Sequence, residues 1–431
     1  MKIPATGHML SMVYLLKKQL STFLTEYLKA ASRGKKDKLK IMDKDRQQVW
    51  FVLAKLQMGG IERNRLKLIN QCLQWGINVH LILLECKGEL LQDIPPQVPV
   101  TCLGQPYKFA FPLRLAKLIR SQPPACIISA FDDVNLMVMV ARALARSSTP
   151  VLLSNHNTFA VVISEAKELE KTKYFVLKHT LPWAFRRARS VVAVSNGVAD
   201  DLSHSLCIPR ESIEVIYNPV IDSGFHDRTC LPATHTVSKQ TVLFVGRLVS
   251  QKDIPNLLAA CVILKQRRHL DVLIAGDGPE RPMIETQIKA MGLAQSVRLV
   301  GMVQNPLPLM AGSGVLVLPS RFEGLGNVLI EAMACGIQVV STNCPHGPAE
   351  ILEDGRYGQL VPVGNPEALA AAIEQSLNGE FWVEPDILQA RAAEFSVEKA
   401  TRRYLELAGY DMDSLPPSRQ ATPQTHQPFT F

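Results

Sequence analysis

Two acids, two cations and one histidine carry most of the chemistry in this chain. Glu323 and Glu331 lie in the stretch 320–336, SRFEGLGNVLIEAMACG, with seven residues between them. Arg247 and Lys252 lie in the run Gly246-Arg247-Leu248-Val249-Ser250-Gln251-Lys252-Asp253. Glu331 sits between Ile330 and Ala332. A carboxylate held near a core needs hydrogen-bond donors, and ribose hydroxyls supply them. Two cations beside backbone amides suit a diphosphate. His156, in Ser154-Asn155-His156-Asn157-Thr158, offers an imidazole able to bond a sugar or phosphate oxygen. Each reading has a plain alternative on the residues alone. The run 246–253 also reads as a solvated loop, Glu323 and Glu331 as a loop acid and a surface acid, and His156 as a structural histidine.

The elements around these residues place them at strand ends. Residues 314–319, GVLVLP, read as a buried parallel strand, followed by a glycine turn and an apolar-periodic helix. Thr241–Val245 is a strong strand just before Gly246, and VLLS precedes His156. The carboxyl edge of a parallel sheet is where open α/β folds bind ligands. Gly59 and Gly60 follow the strand expected over 49–57 and precede a helix over 62–75. They permit close backbone approach beside free helix N–H groups. The pattern is not GxGxxG, so the dinucleotide fingerprint is absent. In Gly276-Asp277-Gly278-Pro279, Gly278 leaves room for a flat group near the backbone.

The alternation continues along the chain. Strands are expected at 77–84, 98–102, 125–129, 150–154, 191–194 and 213–216, and helices at 111–121, 133–146, 170–187 and 196–205. This is repeated βα architecture, an α/β fold with parallel sheets. A length of 431 residues exceeds one ordinary domain and fits two. The aperiodic stretch 219–240 reads as a linker. The expected layout is an extension over 1–48, one domain over 49–218, a second over 241–384, closing helices over 385–410 and a disordered tail over 411–431.

The nine cysteines are scattered with no CxxC pair, which favours reduced cytosolic thiols over disulfides or zinc. There is no cleavable secretory signal and no apolar run long enough to span a bilayer. The net charge of +8 is partly local, at 33–44 and 186–189, which suits an anionic membrane surface or nucleic acid. No aromatic interleaving or zinc spacing supports nucleic acid, and a basic surface with no specific task stays open. Residues 9–30 are loosely amphipathic. They read as an interfacial helix, as an extra helix on the body, or as sequence upstream of a start at Met42.

Six segments together resemble one family: QMGGIERN at 57–64, VVAVSNGVADDL at 191–202, VIYNPVID at 215–222, FVGRLVSQKD at 244–253, IAGDGPER at 274–281 and FEGLGNVLIEAMACGIQVV at 322–340. The chain is similar over residues 49–408 to the retaining glycosyltransferases of the GT-B fold, family 4, which includes sucrose synthases, phosphatidylinositol mannosyltransferases and many bacterial polysaccharide and lipopolysaccharide enzymes. The resemblance implies two Rossmann-like domains facing across a cleft, with a nucleotide-sugar donor mainly on the second and the acceptor mainly on the first. It implies that Arg247 and Lys252 hold the diphosphate, that Glu331 binds ribose, and that Glu323 faces the donor sugar with the amides of Gly324, Leu325 and Gly326 near sugar or phosphate. His156 matches a histidine that contacts the donor sugar, and Gly59 and Gly60 match the loop lining the diphosphate side. Gly246 and Gly278 fall inside two of the matching loops.

The implied reaction transfers a sugar, with a UDP-sugar as expected donor, to a glycan or lipid-linked acceptor, making an α-linkage in cell-envelope polysaccharide or lipopolysaccharide synthesis. The acceptor oxygen arrives on the leaving-group face, so Glu323 orients and stabilises rather than forming a covalent bond. No metal is expected: Asp132-Asp133 lacks the context of a DxD motif. The expected location is the cytoplasm, with contact at the inner face of the membrane. Two departures are mild: Ile61 where members often have Ala, and Lys252 within SQKD rather than QKG. Alternatives on the same fold are a nucleotide-sugar epimerase, a starch or glycogen synthase, whose lysine before the glycine loop is missing from QMGG, and a non-catalytic nucleotide-sugar-binding protein.

Overall fold

The computed structural model describes residues 48–57, 59–104, 110–156, 158–165 and 168–414. The expected N-terminal extension, apart from Gln48, and the tail beyond 414 lie outside them. Two parallel sheets organise the chain. The first holds β1 (Val49–Leu53), β2 (Val79–Leu83), β3 (Val100–Cys102), β4 (Cys126–Ala130), β5 (Val151–Asn155), β6 (Ser190–Ala193) and β7 (Ile213–Val215). The second holds β8 (Thr241–Val245), β9 (Asp271–Ala275), β10 (Val297–Gly301), β11 (Val315–Leu318), β12 (Gln338–Thr342) and β13 (Gln359–Val361).

The helices of the first half are α1 (Gly60–Gln74), α2 (Phe111–Ser121), α3 (Asp132–Ala145), α4 (Phe159–Glu165), α5 (Glu168–Phe185) and α6 (Asn196–Leu206). Then come α7 (Phe225–Thr229), α8 (Ile254–Lys265), α9 (Arg281–Ala290), α10 (Leu307–Gly312), α11 (Asn327–Ala334), α12 (Pro348–Ile351), α13 (Pro366–Asn378), α14 (Pro385–Ala393) and α15 (Val397–Ala408).

Strand order is β3-β2-β1-β4-β5-β6-β7 in the first sheet and β10-β9-β8-β11-β12-β13 in the second. Both sheets therefore reverse direction of winding at one place, between β1 and β4 and between β8 and β11. Helices cover both faces, which is why these strands read as unbroken apolar runs. Val49, Phe51 and Leu53 pack with Leu66, Ile69 and Cys72 of α1, while Trp50 and Val52 point the other way, toward Phe111 and Val138. In the second sheet Val242 and Phe244 meet Leu257 and Cys261 of α8, and Leu243 turns toward the layer of Leu329 and Met333. The two Rossmann-like units face each other across a cleft, the architecture of the GT-B fold.

Two features differ from the sequence reading, in the linker and at one cysteine pair, and the helices over 385–408 add a contact to the first unit. The expected linker contains α7, whose Phe225 is buried and whose entry is held by Asp222, accepting from the Gly224 amide at 3.0 Å and from Arg228 at 2.9 Å. The stretch 385–408 is two helices, and the second returns to the first unit. Ala400, Tyr404 and Leu405 of α15 join the cluster around Phe51 and Leu66, and Ile221 bridges to Ser396. The expectation of reduced thiols also fails for one pair: Cys86 and Cys102 form a disulfide, with Cα atoms 5.8 Å apart. The register explains it, since Leu83 pairs with Cys102 and brings the β2 exit loop alongside β3.

Candidate active site

Some of the residues singled out from sequence lie at the two switch points. Gly59 and Gly60 follow β1, Arg247 and Lys252 follow β8, and Glu323 follows β11. Crevices at such reversals are where doubly wound sheets take ligands.

Lys252 and Glu323 meet directly. Lys252 Nζ lies 2.5 Å from Glu323 Oε1, and Ser320 Oγ donates to the same oxygen at 2.6 Å. Both side chains are largely buried, 16% and 8% exposed, so the pair is weakly screened. Gln251 Nε2 donates to the Phe322 carbonyl at 2.9 Å, tying the two loops together behind the pair. Lys252 thus spends its charge on Glu323 here, while the Arg247 side chain is exposed on the same loop. Arg247 also acts through space on Glu62 of α1, whose carboxyl burial pushes up, against Lys55 and Arg247.

Glycine geometry locks these loops. A Cβ at Gly276 would fall 1.8 Å from the Gly246 carbonyl, and one at Gly278 would fall 2.3 Å from that of Leu248. The room that Gly278 provides is taken by the neighbouring loop. At Gly246 the nearest atoms belong to Phe244, 3.1 Å away. At Gly59 a Cβ would meet Glu62 Oε2 at 2.2 Å, so Glu62 folds back over the glycine loop. Gly60 is open, its nearest would-be contact being Asn327 at 3.9 Å across the cleft. Gly324 is one place where the two units touch: a Cβ there would lie 2.1 Å from the His156 carbonyl. Ser195 Oγ donates to the Gly324 carbonyl at 2.7 Å. Leu325 is buried, and Gly326, at φ 96°, turns the chain into α11.

Glu331, on α11, stands apart from the Lys252 pair. It faces Lys67, Arg63 and Arg228, and burial raises its carboxyl despite those three cations. Lys67 is itself lowered by burial and donates to the Val220 carbonyl at 2.5 Å.

His156 sits at the end of β5 with its Nε2 2.8 Å from Arg65 Nη2 and 2.6 Å from Ser154 Oγ. Burial first, and the Arg65 charge second, hold it well below the usual imidazole range. The ring is neutral at pH 7. Its Nδ1 has no hydrogen bond among the described residues, although the Asn218 side chain lies beside the ring.

Arg65 is the residue that sequence reasoning missed. It is 1% exposed, donates to Ser154, reaches Tyr404 Oη at 3.3 Å and stacks its guanidinium 5.1 Å from the Tyr404 ring centre. A signal was present. Ile61, Arg65, Leu68 and Cys72 follow helical spacing, which puts a cation on the buried stripe of α1. Buried arginines need partners. Glu350 of α12 was also missed. It accepts from the Asn196 amide and from Tyr217 Oη at 2.7 Å, joining the second unit to the first.

Residues 58–223 match the model described as Glycosyltransferase Family 4, and residues 239–379 match that of Glycosyl transferases group 1. A Campylobacter jejuni protein, GalNAc-alpha-(1->4)-GalNAc-alpha-(1->3)-diNAcBac-PP-undecaprenol alpha-1,4-N-acetyl-D-galactosaminyltransferase, is 26% identical over 84% of this chain and 98% of its own. A second from the same organism, N-acetylgalactosamine-N,N'-diacetylbacillosaminyl-diphospho-undecaprenol 4-alpha-N-acetylgalactosaminyltransferase, is 26% identical over 78% of this chain and 91% of its own. Among solved structures, Anabaena Alr3699/HepE in complex with UDP and glucose superposes with a TM-score of 0.68 at 19% identity, covering 84% of this chain and all of that one.

Proposed function

Starting from a chain that is a glycosyltransferase of the GT-B fold, we propose that it moves a hexosyl group from a UDP-sugar to a glycan or lipid-linked acceptor with retention, forming an α-linkage in cell-envelope polysaccharide or lipopolysaccharide synthesis. It works on the cytoplasmic side, with its acceptor at the membrane surface. The observation that carries this reading is the buried Lys252–Glu323 pair at the β8/β11 switch point, with Arg247 on the same loop. The names of the two Campylobacter relatives support a diphospholipid-linked acceptor.

The chemistry follows from charge. As the bond from the anomeric carbon to the diphosphate oxygen breaks, negative charge grows on the phosphate and positive charge on the sugar. Arg247 and Lys252 stabilise the first, as fixed cations in a low-dielectric site do. Glu323, held by Ser320 and Lys252, stabilises the second and orients the ring. The acceptor hydroxyl attacks from the leaving-group face, and a phosphate oxygen takes its proton. His156, with its proton on Nδ1, donates to a donor-sugar hydroxyl. Glu331 accepts from the ribose hydroxyls.

The test is incubation of the protein with labelled UDP-, GDP- and ADP-sugars and a bacterial membrane extract. Label should enter lipid from a UDP-sugar with nucleotide release. No transfer and no release from any donor would refute the reading.

A further inference from the structure

The disulfide among the described residues lies close to the glycine loop of the first unit. Cys86 sits on an exposed turn after β2, and Cys102 ends β3, half-buried. The pair ties the two strand exits together, where the Gly104 amide donates to the Leu84 carbonyl at 2.9 Å. The segment it closes is bonded in turn to the chain leaving β1. The Leu84 and Glu85 amides donate to the Leu53 and Ala54 carbonyls at 3.0 and 2.8 Å. The Leu56 amide donates to the Lys87 carbonyl at 3.0 Å, and the Leu90 amide to the Leu56 carbonyl at 3.1 Å. Gly88, at φ 123°, packs so closely that a Cβ on it would fall 1.8 Å from the Leu56 carbonyl oxygen. Gly59 follows on the same chain, covered by Glu62, on whose carboxyl Lys55 acts. The cross-linked segment therefore braces the approach to Gly59 and Gly60.

We propose that Cys86 and Cys102 form a redox switch that sets the order of the glycine loop, and through it the affinity for the donor nucleotide. The inference rests on the transferase reading, under which Gly59 and Gly60 line the diphosphate. A protein working on the cytoplasmic side meets a thiol pool that reduces accessible disulfides, so an exposed cross-link there serves sensing rather than permanent stapling. Glutathione reaches Cys86 first, because it is the exposed partner. A glutathione thiolate attacks Cys86 Sγ, the bond between the protein sulfurs breaks, and Cys102 leaves as a thiolate that takes up a proton. A second glutathione thiolate attacks the glutathione sulfur of the mixed disulfide and releases Cys86, which is protonated in turn. Two electrons and two protons pass to the protein, and two glutathiones become one oxidised glutathione. Opening the ring returns conformational freedom to residues 87–101, and the ordered loop is populated less. Cys72 and Cys126 of the same unit are buried and out of reach of this exchange.

The test places the full chain in buffers of reduced and oxidised glutathione. Alkylation with mass spectrometry reports the cross-link, calorimetry reports UDP affinity, and hydrogen exchange reports the backbone. Excess reduced glutathione should open the cross-link and speed exchange of the Glu85, Leu56 and Leu90 amides about ten-fold. UDP should bind about three-fold more weakly, as when the competent loop falls to about a third of the population. Oxidised glutathione should restore all three readouts, which a cross-link with a merely structural role would not do. Exchange in β8 and β9 should not respond. Cys86→Ser and Cys102→Ser should each hold the reduced values in every buffer. A cross-link that stays closed in excess reduced glutathione, or that never forms in oxidised glutathione, overturns the switch. If the serine variants do not fold, the parent in the two buffers decides alone. UDP affinity separates the levels: binding that ignores the state of the cross-link refutes only the switch, whereas absence of UDP binding in both buffers refutes the transferase reading and the switch with it.

Discussion

Arg65 Nη2 lies 2.8 Å from His156 Nε2, and this contact decides which ring nitrogen carries the proton. An arginine only donates, so Nε2 accepts and the hydrogen sits on Nδ1. That nitrogen has no hydrogen bond among the described residues, and His156 lines the cavity beside Asn155 at the end of the first sheet. Arg65 is thus a positioning residue that acts through His156.

Arg65→Leu removes both the donor and the nearby charge. The His156 pKa, followed by NMR titration, should rise toward the ordinary value near 6.5. Turnover should fall about ten-fold or more, with UDP affinity changed far less. The sign of the pH effect on stability follows from linkage. The folded-state pKa is depressed, so as pH drops below about 6.5 the unfolded chain binds the proton first and parent stability declines. The variant should show a shallower decline over that window. An unchanged His156 titration would refute the coupling.

Removing one member of the Lys252–Glu323 pair should be worse than its exposed neighbours suggest. Lys252→Ala leaves a buried carboxylate beside Ser320, and breaking such a pair costs about 3 kcal/mol. Glu323→Gln keeps the volume and can still accept from Ser320, so its stability loss should be smaller. Both should reduce turnover by about a hundred-fold, since both act on charge that develops in the transition state. Thermal unfolding and initial rates of UDP release check this. Equal stability of parent and Lys252→Ala would contradict the burial of the pair.

Glu331→Gln should trade binding for stability. The folded Glu331 pKa is raised by burial, so its contribution to stability is fully present below the unfolded value of 4.5 and lost as pH rises through the folded one. At neutral pH the glutamine avoids that loss, and the chain should melt at the same temperature or higher. UDP affinity should weaken by roughly ten-fold, the scale of a hydrogen bond to a charged group. A UDP Kd equal to the parent's would remove Glu331 from the ribose site.

Much of this fold was readable from the chain because its strands are buried on both faces. Runs such as VLFV at 242–245 and VLVL at 315–318 have no competing reading. The strand expected over 49–57 ends at Leu53, since the Leu56 amide bonds the Lys87 carbonyl instead of continuing a ladder. Helix α7 was hidden in the aperiodic stretch because one buried phenylalanine, Phe225, and one aspartate, Asp222, suffice to fix a single turn. The types of the site residues were legible, but their pairing was not. Lys252 and Glu323 are 71 positions apart, and Arg65 and Tyr404 are 339 apart, so only the closed topology brings them together. The same holds for the Cys86–Cys102 disulfide, which depends on strand register rather than on spacing.

A crystal structure of the chain with an intact UDP-sugar tests the central claim most directly. The account predicts the diphosphate within hydrogen-bond reach of Arg247 and Lys252, the ribose hydroxyls on Glu331, and the sugar between Glu323 and His156. A diphosphate bound away from the loop after Val245, with Lys252 still closed on Glu323 at 2.5 Å, would contradict it.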